Sequence, residues 1–149
     1  MIDRLTDLLT DLGKIFQIPL SLDKYNACSI QIPPITIQLQ LDATEENLFL
    51  FSKIIELPPG RFRENVLCEA LKANAGPDPR TGIFGYVAQT NHLSLHQSYP
   101  LSILNAERLS GLFGAFFEMG ESWHNSIQNG QIAPVSATTS RPSPFGIRP

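Results

Sequence analysis

The sequence predicts an α+β fold on a mainly antiparallel sheet, with the element order α-β-β-β-α-β-β-α. Three observations predict it. Apolar residues recur at helical spacing in three segments, and in five others they alternate with polar residues or run together briefly. The strands come in runs broken by single helices, without the regular strand–helix alternation of a doubly wound parallel sheet. A chain of 149 residues, 42% hydrophobic and with nine Phe, is also sufficient for one core of ordinary size, and no internal repeat divides it.

In the opening "MIDRLTDLLTDLGKIF", Ile2, Leu5, Leu8, Leu9, Leu12, Ile15 and Phe16 share one side of a helix, with Asp3, Arg4, Asp7, Asp11 and Lys14 between them. After "IPLSLDK" the period becomes two. Cys28, Ile30 and Ile32 alternate with Ser29 and Gln31, and Ile35, Ile37, Leu39 and Leu41 alternate with Thr36, Gln38 and Gln40, giving two half-buried strands. Pro33 and Pro34 cannot donate to a ladder, so they mark the turn between these strands or a margin of the sheet. The third strand, "NLFLFSKIIEL", is apolar on consecutive residues from Leu48 to Phe51, which suggests cover on both faces there, and reads as a central or doubly covered strand.

Pro58, Pro59 and Gly60 open a second helix, with a proline at its first position, where a missing N–H costs nothing. Asn74 to Pro77 close it, with Gly76 as the left-handed cap. "IFGYVAQT" and "LSLHQSY" form a hairpin turning at Asn91-His92. A last helix runs from Ser102 to about Ile127, with Leu109, Leu112, Phe113, Phe116, Gly120, Trp123 and Ile127 inward. The domain is therefore expected over residues 1–128, followed by a Pro/Ser/Thr-rich flexible tail over 129–149. That tail holds no acid, so the body carries 9 − 14 = −5 against +2 from Arg141 and Arg148.

Composition excludes several classes of function. An acidic chain with a pI near 5.5 and no Lys/Arg cluster is not built to neutralise phosphates, so nucleic acid is not a partner. No basic segment precedes an apolar run at the N-terminus, and no stretch reaches the roughly 18 apolar residues of a membrane span. Cys28 and Cys68 stand far apart within apolar patterns, as core residues of a protein in a reducing cytoplasm.

The chemical motifs are missing too. His92 and His96 fall in a strand, where four residues span about 13 Å, too far to share a metal ion. His124 reads as a half-buried residue beside Trp123. Asp3, Asp7 and Asp11 line one helix face at a spacing that repels, as a solvated surface or a docking strip for a basic partner. There is no CxxC, no G-x-S-x-G elbow and no glycine-rich loop ending in GK[ST]. The inventory is that of a protein that binds and does not catalyse.

Apolar surface is what the helices have in excess. On the second, Phe62, Val66, Ala70 and Ala73 occupy one side, and Leu67 and Leu71 widen the arc to about 180°, where one core contact explains about 100°. The first and last helices have arcs of about 140° and 160° by the same count. Arg61 and Arg63 stand in the second helix's first turn, which the macrodipole disfavours. Either the domain is unusually well wrapped by its own strands, or it self-associates and binds a further partner.

The leading "LTDLLTDLGKIFQIPL", the "LPPGRFRENVLCEALKANA" block, and "LSLHQSYPLSIL" feeding a helix that ends near Trp123 together resemble the CesT/SycE-like family, the class I chaperones of type III secretion effectors. The resemblance spans roughly residues 2 to 127 and leaves the tail outside. It implies a homodimer in the bacterial cytoplasm, with the second helix and fourth strand about the twofold axis. It also implies no cofactor, no catalysis, and secreted effectors as partners, with the secretion ATPase as a further one. Such chaperones hold an effector's N-terminal segment extended along apolar grooves, by strand addition at a sheet edge and pockets for alternate side chains. Carried onto this chain, the resemblance suggests Leu9, Ile30, Ile32 and Phe51 for the groove and Val66, Ala70, Phe84 and Tyr86 for the dimer interface. The turn "IPPI" and the proline-rich tail depart from the family's pattern.

Two other readings fit the residues. One is a small α+β enzyme or ligand-binding domain with a site from His92, His96 or Tyr86 across the hairpin. The other is a regulatory adaptor that sequesters a folded partner or a component of the secretion apparatus.

Overall fold

A computed structural model describes residues 2–76 and 81–134 of the chain. The elements are α1 (Ile2–Phe16), β1 (Ala27–Ile32), β2 (Ile35–Leu41), β3 (Asn47–Glu56), α2 (Arg61–Asn74), β4 (Ile83–Val87), β5 (His92–Pro100), a 3-10 turn (Leu101–Ile103) and α3 (Ala106–Gln128). The five strands form one antiparallel sheet in the order β1-β2-β3-β5-β4, so β3 is central and β1 and β4 are its edges. The predicted element order holds throughout.

Alternation decides which side of the sheet each residue joins. Ile30 lies opposite Ile37 and Leu39 opposite Leu50, and these side chains are all buried. They meet the helices. A methyl group added at Gly120 of α3 would stand 2.8 Å from Ile35 Cδ1 and 3.0 Å from Ile54 Cδ1, so the helix lies almost on the strands. α1 packs on α3, with the Phe16 and Phe113 rings 5.2 Å apart, and Arg4 donates to the carbonyls of Leu101 and Leu104 at 2.9 and 3.2 Å. One contiguous core results, running from Leu5 to Ile127.

Several local expectations are corrected. β3 is central but not covered on both faces: Leu48 and Leu50 are buried, whereas Phe49 and Phe51 between them are half-buried on the sheet's other side. The β4–β5 turn is Ala88 to Asn91, closed by the pair Val87 and His92, because Asn91 takes the left-handed conformation (φ 58) that ends it. α2 starts after Pro58 and Pro59, on Gly60 as its N-cap (φ 147), and Gly76 is not left-handed, since Ala75 ends the helix at φ −83. α3 begins four residues later than expected, where Asn105 accepts from the Arg108 N–H at 2.8 Å. Cys28 is buried but Cys68 is exposed, its apolar neighbours lying on other sides of α2.

Pro33-Pro34 does make the β1–β2 turn, with Ile32 paired to Ile35 across it. Of the expected tail, residues 129–134 double back after α3 through Gly130 (φ 88), and Pro134 is buried. Residues 135–149 lie outside the described residues.

Candidate functional site

Five of the eight residues expected at binding surfaces are absorbed by the chain's own core. Leu9, Ile30, Val66, Ala70 and Phe84 are each 5% exposed or less. Ile32, Phe51 and Tyr86 are half-buried. Leu9, Ile30 and Ile32 lie on the helix-covered side of the sheet, while Phe51, opposite Gln38, points to the other side. The four groove candidates are thus not brought into one groove by a single chain.

The apolar surface that stays exposed is elsewhere, and spacing alone did not single it out. On α2, Leu71 is 68% exposed and Phe62 38%, because Val66 and Ala70 take the inward positions. Leu67, Ala70, Leu71 and Asn74 of α2, with Phe84 to Tyr86 of β4 and Leu93 of β5, line a cleft of about 180 Å³. A larger one of about 480 Å³ runs between α2 and α3, walled by Ala73, Met119 and Trp123, with Ala133 and Pro134 at one end. Ile15 and Ile18 are exposed where α1 ends.

Polar groups pin the rim of the α2–β4 cleft. Arg63 lies 5.4 Å over the Tyr86 ring and donates to Tyr86 Oη at 2.7 Å and Asn91 Oδ1 at 3.3 Å, and the Tyr86 hydroxyl donates to the same oxygen at 2.7 Å. An arginine in the first turn of α2 is thereby held by an aromatic face and neutral acceptors, the signal for which was a tyrosine 23 residues on, in the next strand. At the far end of the helix, the Asn74 carboxamide donates to the Phe84 carbonyl at 2.9 Å and accepts from the Phe84 N–H at 2.7 Å.

On the side of the sheet away from the helices, Phe49 stacks on Phe51 at 6.3 Å and on His96 at 5.8 Å. Burial against these rings holds the His96 pKa below its ordinary value. His92 Nδ1 is 2.8 Å from Thr90 Oγ1, and His124 Nδ1 is 2.7 Å from the Ile54 carbonyl oxygen. Among the described residues, no three His, Cys, Asp or Glu side chains converge on a point that could hold a metal. No helix among them is long and apolar enough to cross a membrane.

This fold, helices packed on one side of a five-stranded antiparallel sheet, is shared with several solved structures. The chain is similar to one in the HopA1–SchA chaperone–effector complex (TM-score 0.66, 22% identity, 83% of this chain and 95% of that one). It is similar to a chain of the ExsC–ExsE complex (0.65, 20%, 84% and 94%) and of the ExoT–SpcS complex from Pseudomonas aeruginosa (0.63, 17%, 81% and 97%). No curated protein matches the sequence. Residues 7–124 match the family model, and the chain belongs to the Tir chaperone protein (CesT) family.

Proposed function

We propose that this protein is a type III secretion chaperone of the bacterial cytoplasm, acting as a homodimer without catalysis or cofactor. It holds the N-terminal segment of one or more effectors extended and secretion-competent and passes it to the secretion apparatus, with the secretion ATPase as a partner in delivery. The observation that carries this reading is the family match across nearly the whole folded body.

The geometry supports a division of labour. Residues 1–128 form the working unit. At the β1 edge, Ala27 is tied to Asp23, its N–H donating to the carboxylate at 3.1 Å and its carbonyl accepting from the Asp23 N–H at 2.8 Å. Ser29 and Gln31, which follow at strand period on that edge, are exposed and can pair with an added strand. Ile32, at the end of β1, and Phe51, on the opposite side of the sheet, each offer a client separate apolar surface, while Leu9 and Ile30 stay in the core. For the dimer, Leu67, Leu71 and Tyr86 make the contact, and Val66, Ala70 and Phe84 support them from behind.

Affinity capture from the native cell, followed by hydrogen exchange on the captured partner, tests the reading. A secreted protein whose bound N-terminal segment shows no compact fold of its own is expected. A partner bound as a folded domain would instead favour the adaptor reading.

A further inference from the structure

A sheet can grow at either edge, and the two edges of this one are finished differently. β4 is the shorter, and its inward pairs with β5 run from Ile83–His96 to Val87–His92. Phe84 turns both of its main-chain groups away from β5, since its N–H and its carbonyl are both bonded to the Asn74 side chain, at 2.7 and 2.9 Å. A carboxamide has the donor and acceptor of a peptide unit in nearly the same geometry. The two bonds to Phe84 are those that a residue of a neighbouring antiparallel strand would make.

We infer that Asn74 stands in for a strand at the β4 edge and denies that edge to any incoming strand, including the β4 of a second copy. Phe84 and Tyr86 are the outward-facing positions of β4, two residues apart. With Phe84 occupied, an added strand would have one rung left between the clamp and the turn at Ala88. That is too few to hold an extended peptide, whose affinity comes from successive main-chain bonds. Copies of this protein then meet at β4 through the side chains of α2 and β4, without joining their sheets. Resting on the proposed function, an extended client is left the β1 edge. The clamp also serves the free protein, since an open, apolar edge strand is a template for aggregation.

The test needs no client, so it is independent of whether effectors are the partners. In full-length Asn74→Leu, the Phe84 amide is expected to exchange roughly tenfold faster, and light scattering should show species larger than the wild-type assembly, growing with concentration. At concentrations where the larger species form, the Phe84 and Tyr86 amides should regain protection, as expected when strands add at the β4 edge. Should Leu prevent folding, Asn74→Ala removes the clamp without adding bulk and carries the same expectations. Faster exchange at Phe84 with the wild-type size unchanged would overturn the proposal, leaving Asn74 as an anchor for the end of α2.

Discussion

Single residues set the tightest limits in this molecule. Gly120 is one, because α3 crosses the strands where only a hydrogen fits: Ile35 Cδ1 and Ile54 Cδ1 would stand 2.8 and 3.0 Å from an added Cβ. Both neighbours are terminal methyl groups that can shift. Gly120→Ala should therefore fold but lose about 1–3 kcal/mol of stability by overpacking, against a small gain from helix propensity, as read by thermal melting. His96 is another. Its pKa is lowered by burial, so the unfolded chain takes up its proton at a higher pH than the folded chain. Its share of stability is full above the ordinary histidine range, near pH 6.5, and falls as the pH drops below it. Denaturant midpoints should decline over that interval in the wild type and less in His96→Gln. Asp42 behaves in the same direction at lower pH. Bonds from Asn47 and Thr44 hold its carboxyl at about 2, so acid loosens the β2–β3 turn only as the pH falls below about 4.

At the scale of elements, α2 shows how far periodicity reaches. An apolar arc of about 180° correctly signalled surplus surface, but spacing could not say which part of the arc turned inward. That choice depends on where β4 lies, which is a long-range fact. Val66 is fully buried and Leu71 two-thirds exposed, although both are ordinary members of the same apolar face. The two therefore separate folding from association. Val66→Asp should unfold the chain, since an unpaired charge would be buried, giving loss of helical circular dichroism. Leu71→Asp should keep the native spectrum and halve the mass seen by light scattering, if α2 meets its counterpart as proposed. A dimer that survives Leu71→Asp moves the interface off α2. The early start given to the last helix has a similar source: the 3-10 turn Leu101–Ile103 precedes the Asn105 cap, and the helical period alone did not separate the two.

For the molecule as a whole, element order was the legible part. Eight elements in sequence, strands with clean alternation and a central apolar strand leave few antiparallel arrangements. The finer placement of strands was not legible. Crossing from β3 to β5 before β4 puts α2 beside an edge, and that topology, more than any residue's hydrophobicity, decides that Leu9 and Ile30 are core while Ile15 and Leu71 are surface. Residues made available by topology look the same in sequence as residues it hides.

Trp123 is the chain's only tryptophan, and its ring lies 4.3 Å from that of Phe84 where α3 backs the edge strand. It also walls the larger cleft between α2 and α3. The protein thus carries its own optical label at the seam where its layers join, with no second indole to dilute the signal. Emission at this seam can follow the closing of the protomer in time, and quenchers admitted through the cleft can report when something else has come to fill it.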